Sequence, residues 1–398
     1  MNVADRILAY HEGRDPDRLA LKYRLIANSP AAFFRGTANL FYEDLSKDLA
    51  TLPSSPKGWI CGDAHLENFG VYKGDNRLVY FDFNDFDEAG LAPVLHEVLR
   101  MLTSIHISAE ELLLKPEDGR FLAESFLADY AIALGEGKPR WVERATARNG
   151  VRDLVYSLKG RSRKQLLRKR TVLDRGLRRL RDDGEFALPL LPGDWERLRV
   201  LLARFGEEVG RRGFYELLSA ARRIAGNGSL GVGRFILLVE GKGSPHHNYL
   251  LDLKQARPSV MGGQSGWTSE AQRVVTIQRR VQAVSPAFLH AVTLDDGSYI
   301  LRELMPGEDR VRLPLYAGHP AGLRQLLSAQ AHVMAWAQLR ASGRQGSAIA
   351  DELIEFGNDF TWHNAALEWA QCYALQVKRD QQDFAASMAS ESPSVVVQ

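Results

Sequence analysis

Two repeat lengths govern where apolar residues fall along this 398-residue chain. Around the apolar Trp59–Cys61 the period is two. FGVYKGDNRLVYFDF follows as a pair of alternating strands about Gly74, Asp75 and Asn76, which predicts a hairpin. Further on, FILLVEG and NYLLDLKQA predict strands, and FLHAVTLDDGSYILRELMPGED predicts another hairpin that leads into a hinge. Elsewhere the period is helical. SEAQRVVTIQRRVQA predicts a helix, and Ala321–Ser342, AGLRQLLSAQAHVMAWAQLRAS, predicts a long one. Residues 110–210 read mostly as helices, and the closing SMASESPSVVVQ lacks periodicity and is expected to fray.

Composition narrows the class without naming it. With 45% hydrophobic and 25% charged residues, the chain has the makeup of a soluble protein of two or three subdomains. No apolar run approaches the ~20 residues of a membrane helix, and the first residues lack a basic start followed by an apolar core, so a cytoplasmic address is expected. The net charge of +2 gives no strong nucleic-acid signal. Cys61 and Cys372 supply neither a disulfide framework nor a repeated metal-ligand spacing. The basic stretch KGRSRKQLLRKRTVLDRGLRRLRDD reads first as a solvated helix face, and second as a lid or groove for an anionic substrate.

The candidate chemistry lies in WICGDAHLENFGVYKGDNRLVYFDFNDFDE. Asp63, Asn68 and Asp82 place carboxylate, amide and carboxylate at the spacing phosphoryl transfer needs. In the protein-kinase pattern that this spacing resembles, the Asp accepts a hydroxyl proton, the Asn five residues on holds Mg²⁺, and an Asp on the next hairpin bridges metal to phosphate. Asp85, in the acidic cluster with Asp87 and Glu88, is a further metal contact. Far downstream, GNGSLG supplies Gly226, Gly228, Ser229 and Gly231 as a turn whose backbone N–H groups can approach phosphates, and Lys254 on the second strand after it supplies a point charge. A dinucleotide fold would put a helix directly after the glycines; here a strand follows.

Asp63, His65 and Asn68 resemble the catalytic loop of aminoglycoside and choline phosphotransferases, which lacks the lysine that protein kinases carry two residues after the Asp. FFRGTANLFYEDL, CGDAHLENFG, DFNDFDEA, GNGSLGVGRF and RVVTIQRRVQ together resemble the bacterial family known as domain of unknown function 2252. The resemblance covers most of the chain and implies a kinase-like fold. It places Glu97 where the loop is anchored, Glu270 or Gln278 as the helix partner of Lys254, and Glu303 to Met305 at the adenine. Because the catalytic loop precedes the glycine turn, the chain looks circularly permuted. The expected architecture is therefore α+β, with residues 1–210 carrying the catalytic loop, metal hairpin and helices. Residues 211–310 would form a small antiparallel-sheet lobe with the hinge, residues 311–388 completing helices, and residues 389–398 a flexible tail.

The expected activity is an ATP- and Mg²⁺-dependent phosphotransferase acting on a hydroxyl of a small molecule or metabolite, with an anionic one suggested only by the second reading of the basic stretch. The alternatives are a nucleotide-binding regulator without turnover, a kinase-like enzyme transferring AMP and, more weakly, a metallophosphoesterase opening on GDAH. Individual residues also have bland roles. His65 fits a brace better than a metal ligand, Cys61 fits a buried wedge, and Arg35 fits either a site contact or a structural ion pair.

Overall fold

A computed structural model describes residues 1–159, 162–181, 184, 186–224, 230–262, 266–304 and 310–390. The chain opens on α1 (Val3–His11), α2 (Pro16–Ala27), α3 (Pro30–Gly36) and α4 (Ala38–Asp48). Asn2, Asp15 and Ser29 each accept a hydrogen bond from the backbone N–H three residues on, and Pro16 and Pro30 stand where a missing N–H costs nothing. A short strand, β1 (Lys57–Ile60), then leads to the hairpin β2 (Phe69–Lys73) and β3 (Val79–Phe83), with Phe69 opposite Phe83. After β4 (Gly90–Pro93), which pairs with β1, come α5 (Val94–Glu111), α6 (Pro116–Gly135) and the short β5 (Val142–Glu143) on the edge of β3.

The middle of the chain runs through α7 (Asn149–Lys159), α8 (Arg163–Arg170), β6 (Thr171–Asp174), β7 (Leu177–Leu180), β8 (Ala187–Leu188) and α9 (Asp194–Glu208). It continues through β9 (Leu217–Arg223), β10 (Arg234–Val239), β11 (Tyr249–Gln255), α10 (Glu270–Val281), β12 (His290–Leu294) and β13 (Gly297–Glu303). A six-stranded antiparallel sheet has the order β12-β13-β11-β10-β9-β8. Alternation divides its faces. Phe235, Leu237, Leu251, Leu253 and Leu301 pack against Leu198, Leu202 and Phe205 of α9. Ile236, Leu238 and Leu250 pack on the other side with Leu167 of α8, and by the same alternation that face carries Arg234, Asp252 and Lys254.

The chain closes with α11 (Pro320–Ala341), α12 (Ala350–Asn358) and α13 (His363–Ser390), which share one hydrophobic core with α5 and α6. α10 and α11 fall within a residue or two of their expected spans, and the fold is α+β as expected. None of the described helices is long and apolar enough to cross a membrane.

Two segments differ from expectation. The basic stretch is not one helix: α8 ends at Arg170, and β6 and β7 form a hairpin turning at Arg175 and Gly176, whose φ angles of 48° and 83° suit a two-residue hairpin turn. The sheet also recruits chain from before residue 211, since β8 pairs with β9 and α9 covers one face. The tail from 391 to 398 lies outside the described residues.

Arg273 of α10 is fully enclosed and donates to the carbonyls of Ala89, Asp87 and Arg257 while pairing with Glu270 at 2.6 Å. Arg273→Met keeps the apolar stem but leaves those carbonyls unpaired, so unfolding in urea should show a loss of about 3 kcal/mol or more. His11 is 0% exposed, and burial, then Lys22 and Arg14, push its pKa from 6.5 down to about 2. Between those values the unfolded chain binds a proton that the native state refuses, so stability falls with acid by at most ~1.4 kcal/mol per pH unit below 6.5. In His11→Leu, denaturation followed from pH 7 to pH 4 should have a shallower slope by about that amount.

Candidate functional site

The loop after β1 is held from below by a chain of buried polar groups. Glu97, in the first turn of α5, accepts from the backbone N–H of Cys61 at 2.8 Å and from Gln338 of α11 at 2.9 Å. Gln338 in turn accepts from the Tyr130 hydroxyl at 2.6 Å, so three helices fix the loop's entry. Burial, and then the Glu97 carboxylate, raise the Cys61 thiol well above its ordinary pKa, as suits an inert wedge. At Gly62 φ is +78° and an added Cβ would lie 2.1 Å from the Glu88 carbonyl oxygen, so only glycine lets the loop and the acidic cluster approach this closely.

Asp63 is gripped by Arg100 of α5, whose Nε and Nη2 donate to Oδ1 at 2.8 and 2.5 Å. Arg100 is itself fully buried, with its guanidinium over the rings of Phe34 and Phe41 at 4.3 and 4.9 Å. The second oxygen of Asp63 lies 4.0 Å from Nε2 of His65. Nδ1 of His65 accepts from the backbone N–H of Glu67, and burial, then Arg35 and Arg100, hold the ring well below its usual pKa. His65 is thus a neutral brace. Arg35 pairs with Glu67 beside a small cavity lined by Phe34, His65, Ser104, Ser108 and Leu313.

Asn68 ties two loops together. Its Nδ2 donates to the carbonyls of Asp63 and Asp85 at 2.7 and 3.2 Å, and its Oδ1 accepts from the Asp85 N–H at 2.8 Å. The carboxylate-bearing residue brought to Asn68 is therefore Asp85. Asp82, the expected metal bridge facing Lys254, has other partners: the N–H groups of Phe83 and Ala283 at 2.9 and 3.3 Å and Arg340 at 3.3 Å. The hairpin register accounts for this by setting Asp82 opposite Gly70 and enclosing it, and burial raises its pKa.

Lys254 of β11 crosses to the acidic loop although it lies 169 positions after Asp85. Its Nζ lies 3.2 Å from Asp85 and 2.5 Å from Asp87. Burial raises both carboxyls, but Lys254 and the arginines around it hold Asp85 below the usual range, while Asp85 keeps Asp87 above it. Neither sequence candidate partners the lysine, since Gln278 bonds Gln282 at 3.1 Å and Glu270 is engaged by Arg273. Among the described residues, no group of three or more His, Cys, Asp or Glu side chains has metal-holding geometry.

Gly226, Gly228, Ser229 and Met305 lie outside the described residues. Gly231 has φ +88°, and its carbonyl accepts from the Asp15 N–H at 3.2 Å. At the expected adenine contact, the N–H groups of Glu303 and Leu304 donate to Ala287 and Leu250, and the Glu303 carboxylate pairs with Arg77 at 2.7 Å. Sequence reasoning missed the first two helices. Arg18 of α2 donates to the Val232 carbonyl at 2.9 Å, and the enclosed Lys22, lowered to about 7 by burial and then Arg14, feels Glu88 and Asp63. It also missed Arg100, for which spacing carried no signal.

These features define an α+β protein whose acidic loop is met by a strand lysine from a distant sheet. The chain belongs to the family described as "Uncharacterized protein conserved in bacteria (DUF2252)", whose profile matches residues 14–387. No curated protein and no solved structure matches the chain.

Gly62→Ala should destabilise the fold by at least ~2 kcal/mol in thermal or urea unfolding, because left-handed strain adds to a backbone clash. A stability within error of the parent would remove the close approach to Glu88 as a constraint.

Proposed function

We propose that this chain is an ATP- and Mg²⁺-dependent phosphotransferase built on a circularly permuted, kinase-like plan and acting on a hydroxyl of a small molecule. The observation that carries the reading is the meeting of Lys254 with Asp85 and Asp87 beside the loop that bears Asp63 and Asn68. In phosphoryl transfer, a strand lysine and a metal-binding aspartate must reach the same phosphates. On this reading the metal aspartate is Asp85 rather than Asp82, with Asp87 beside it.

The donor set fits Mg²⁺ in kind, being hard carboxylate oxygens of the sort that hold this ion together with substrate phosphates and water. Asp85 and Asp87 would hold it, and it would offset phosphate charge. Lys254, now between the two carboxylates, would turn toward the phosphates. Arg100 fixes one oxygen of Asp63 and leaves the other to accept an acceptor hydroxyl's proton.

A second reading, a nucleotide-binding regulator without turnover, draws on Asn68. Both ends of its amide are engaged within the loops, which leaves its oxygen bonded to Asp85 N–H rather than open to a metal. Transfer of AMP instead of phosphate would use the same groups and would be told apart by product mass.

Calorimetry with ATP and Mg²⁺ tests the assignment of the carboxylates. Asp85→Asn should lose the metal-dependent part of nucleotide affinity, whereas Asp82→Asn should retain it and lose stability through its contact with Arg340. The reverse pattern would return the metal role to Asp82. Incubation of the protein with ATP and a bacterial metabolite extract, read by mass spectrometry, tests turnover. Asp63→Asn should bind ATP normally yet lose at least ~100-fold in product formation. Metal-dependent ATP binding without any product would favour the regulator.

A further inference from the structure

Four buried amide oxygens, those of Asn39, Asn84, Asn248 and Gln330, have no hydrogen-bond partner among the described residues. Three of them belong to amides oriented by their other end. Nδ2 of Asn39 donates to Glu43, Nδ2 of Asn248 to Ser244 and the Glu240 carbonyl, and Nε2 of Gln330 to the Leu66 carbonyl. Asn84 stands apart: it directly follows β3, one position before Asp85, and is 7% exposed.

The backbone of Asn84 spans the seam between the sheet and the Asp63 loop. Its N–H donates to the Asn68 carbonyl at 2.9 Å, and its carbonyl accepts from Nη1 of Arg302 on β13 at 3.4 Å. Arg302 is held from the sheet side by Asp252, which Arg223 and Arg234 also grip. Asn84 is thus fixed where the acidic loop meets the strand that runs on to Glu303 and Leu304. The N–H groups of those two residues, expected to lie at an adenine, are committed to Ala287 and Leu250. A base beside them finds neither of these donors free.

The chemistry of the orphan atom narrows what it takes. An amide oxygen only accepts, which excludes phosphate and carboxylate oxygens, and the Arg302 guanidinium at the carbonyl of the same residue disfavours a bare cation. What remains is a neutral N–H or O–H donor. We infer that Asn84 reads the nucleotide base, its Oδ1 accepting a hydrogen bond from the exocyclic amine of adenine. The inference deepens the proposed phosphotransfer reading and rests on it in taking the ligand to be a nucleoside triphosphate. A buried acceptor without a donor carries a penalty that this N–H removes, and a 6-oxo purine would set a second oxygen against it.

The test is calorimetry of the full chain with ATP and inosine triphosphate (ITP), titrated separately with Mg²⁺, in the parent and in Asn84→Leu and Asn84→Asp. The two nucleotides share ribose and phosphates and differ only at the 6-position of the purine, which separates the amine from a ribose hydroxyl. The parent should bind ATP at least ~10-fold more tightly than ITP. Asn84→Leu, close to asparagine in size but without an acceptor, should weaken ATP until the two affinities lie within ~3-fold of each other. Without nucleotide that variant should melt no lower than the parent, since Oδ1 has no hydrogen bond to lose. Asn84→Asp keeps an acceptor at the same place and should keep the preference. Equal affinity for ATP and ITP in the parent would overturn the role of Asn84 and leave the phosphotransferase reading standing, and so would a preference unchanged in Asn84→Leu. An Asn84-dependent preference without any product from ATP would keep the base contact and favour the regulator. Absence of binding by either nucleotide would overturn the base contact and the phosphotransferase reading together.

Discussion

A single ammonium group between two aspartates joins the two halves of this protein. Lys254 extends from the middle of a six-stranded sheet, and Asp85 and Asp87 lie on a loop that the sheet itself does not make. Asp85 and Asp87 stand two positions apart and only partly exposed, so their carboxylates repel each other, and the lysine is what makes their proximity tolerable. Because Asp85 is also bonded through its backbone to Asn68, the ion triad sets the distance between the sheet and the Asp63 loop. Any ligand that draws Lys254 away changes the charge balance on both sides at once.

The acidic loop needs support because it is short, irregular and enclosed. Its backbone groups have few sheet partners, so helices supply side chains in their place. Glu97 from α5 takes the Cys61 N–H, Arg273 from α10 takes the carbonyls of Asp87 and Ala89, and Gln330 from α11 takes that of Leu66 at 2.8 Å. Arg100 orients Asp63 from a nest of aromatic rings. The reactive-looking groups are thus placed by residues that have no need to touch a ligand.

Local pattern made the β2–β3 hairpin, α10 and α11 legible, since each has a clean period and clear turn or capping residues. Spacing along the chain also located the Asp63 loop. Spacing named both Asp82 and Asp85 and expected Asp82 to face Lys254, but hairpin register turns the Asp82 side chain toward Arg340 and lets Asp85 reach Asn68 after the strand ends. Lys254 was legible as a strand lysine, while its partners were sought on a helix and came from the loop. Arg100, Lys22 and the arginines about Asp252 were invisible because their meaning lies in contacts across many elements, and a lone basic residue carries no period. The β6–β7 hairpin was hidden by its charge, which resembles a solvated helix until the Arg175–Gly176 turn is weighed.

The reach of Lys254 has a consequence for how the chain comes off the ribosome. Asp85 and Asp87 are made 169 and 167 positions before the lysine that neutralises them. At ~5–20 residues per second, a nascent chain exposes that acidic loop for on the order of ten seconds or more before the sheet exists. The opening helices face the same delay, since Asp15 and Arg18 bond to Gly231 and Val232. Final assembly of the loop is therefore a late event with high contact order, reached only after the sheet strands have paired. Translation pauses between the two halves would lengthen the interval in which chaperones and proteases meet an incomplete domain.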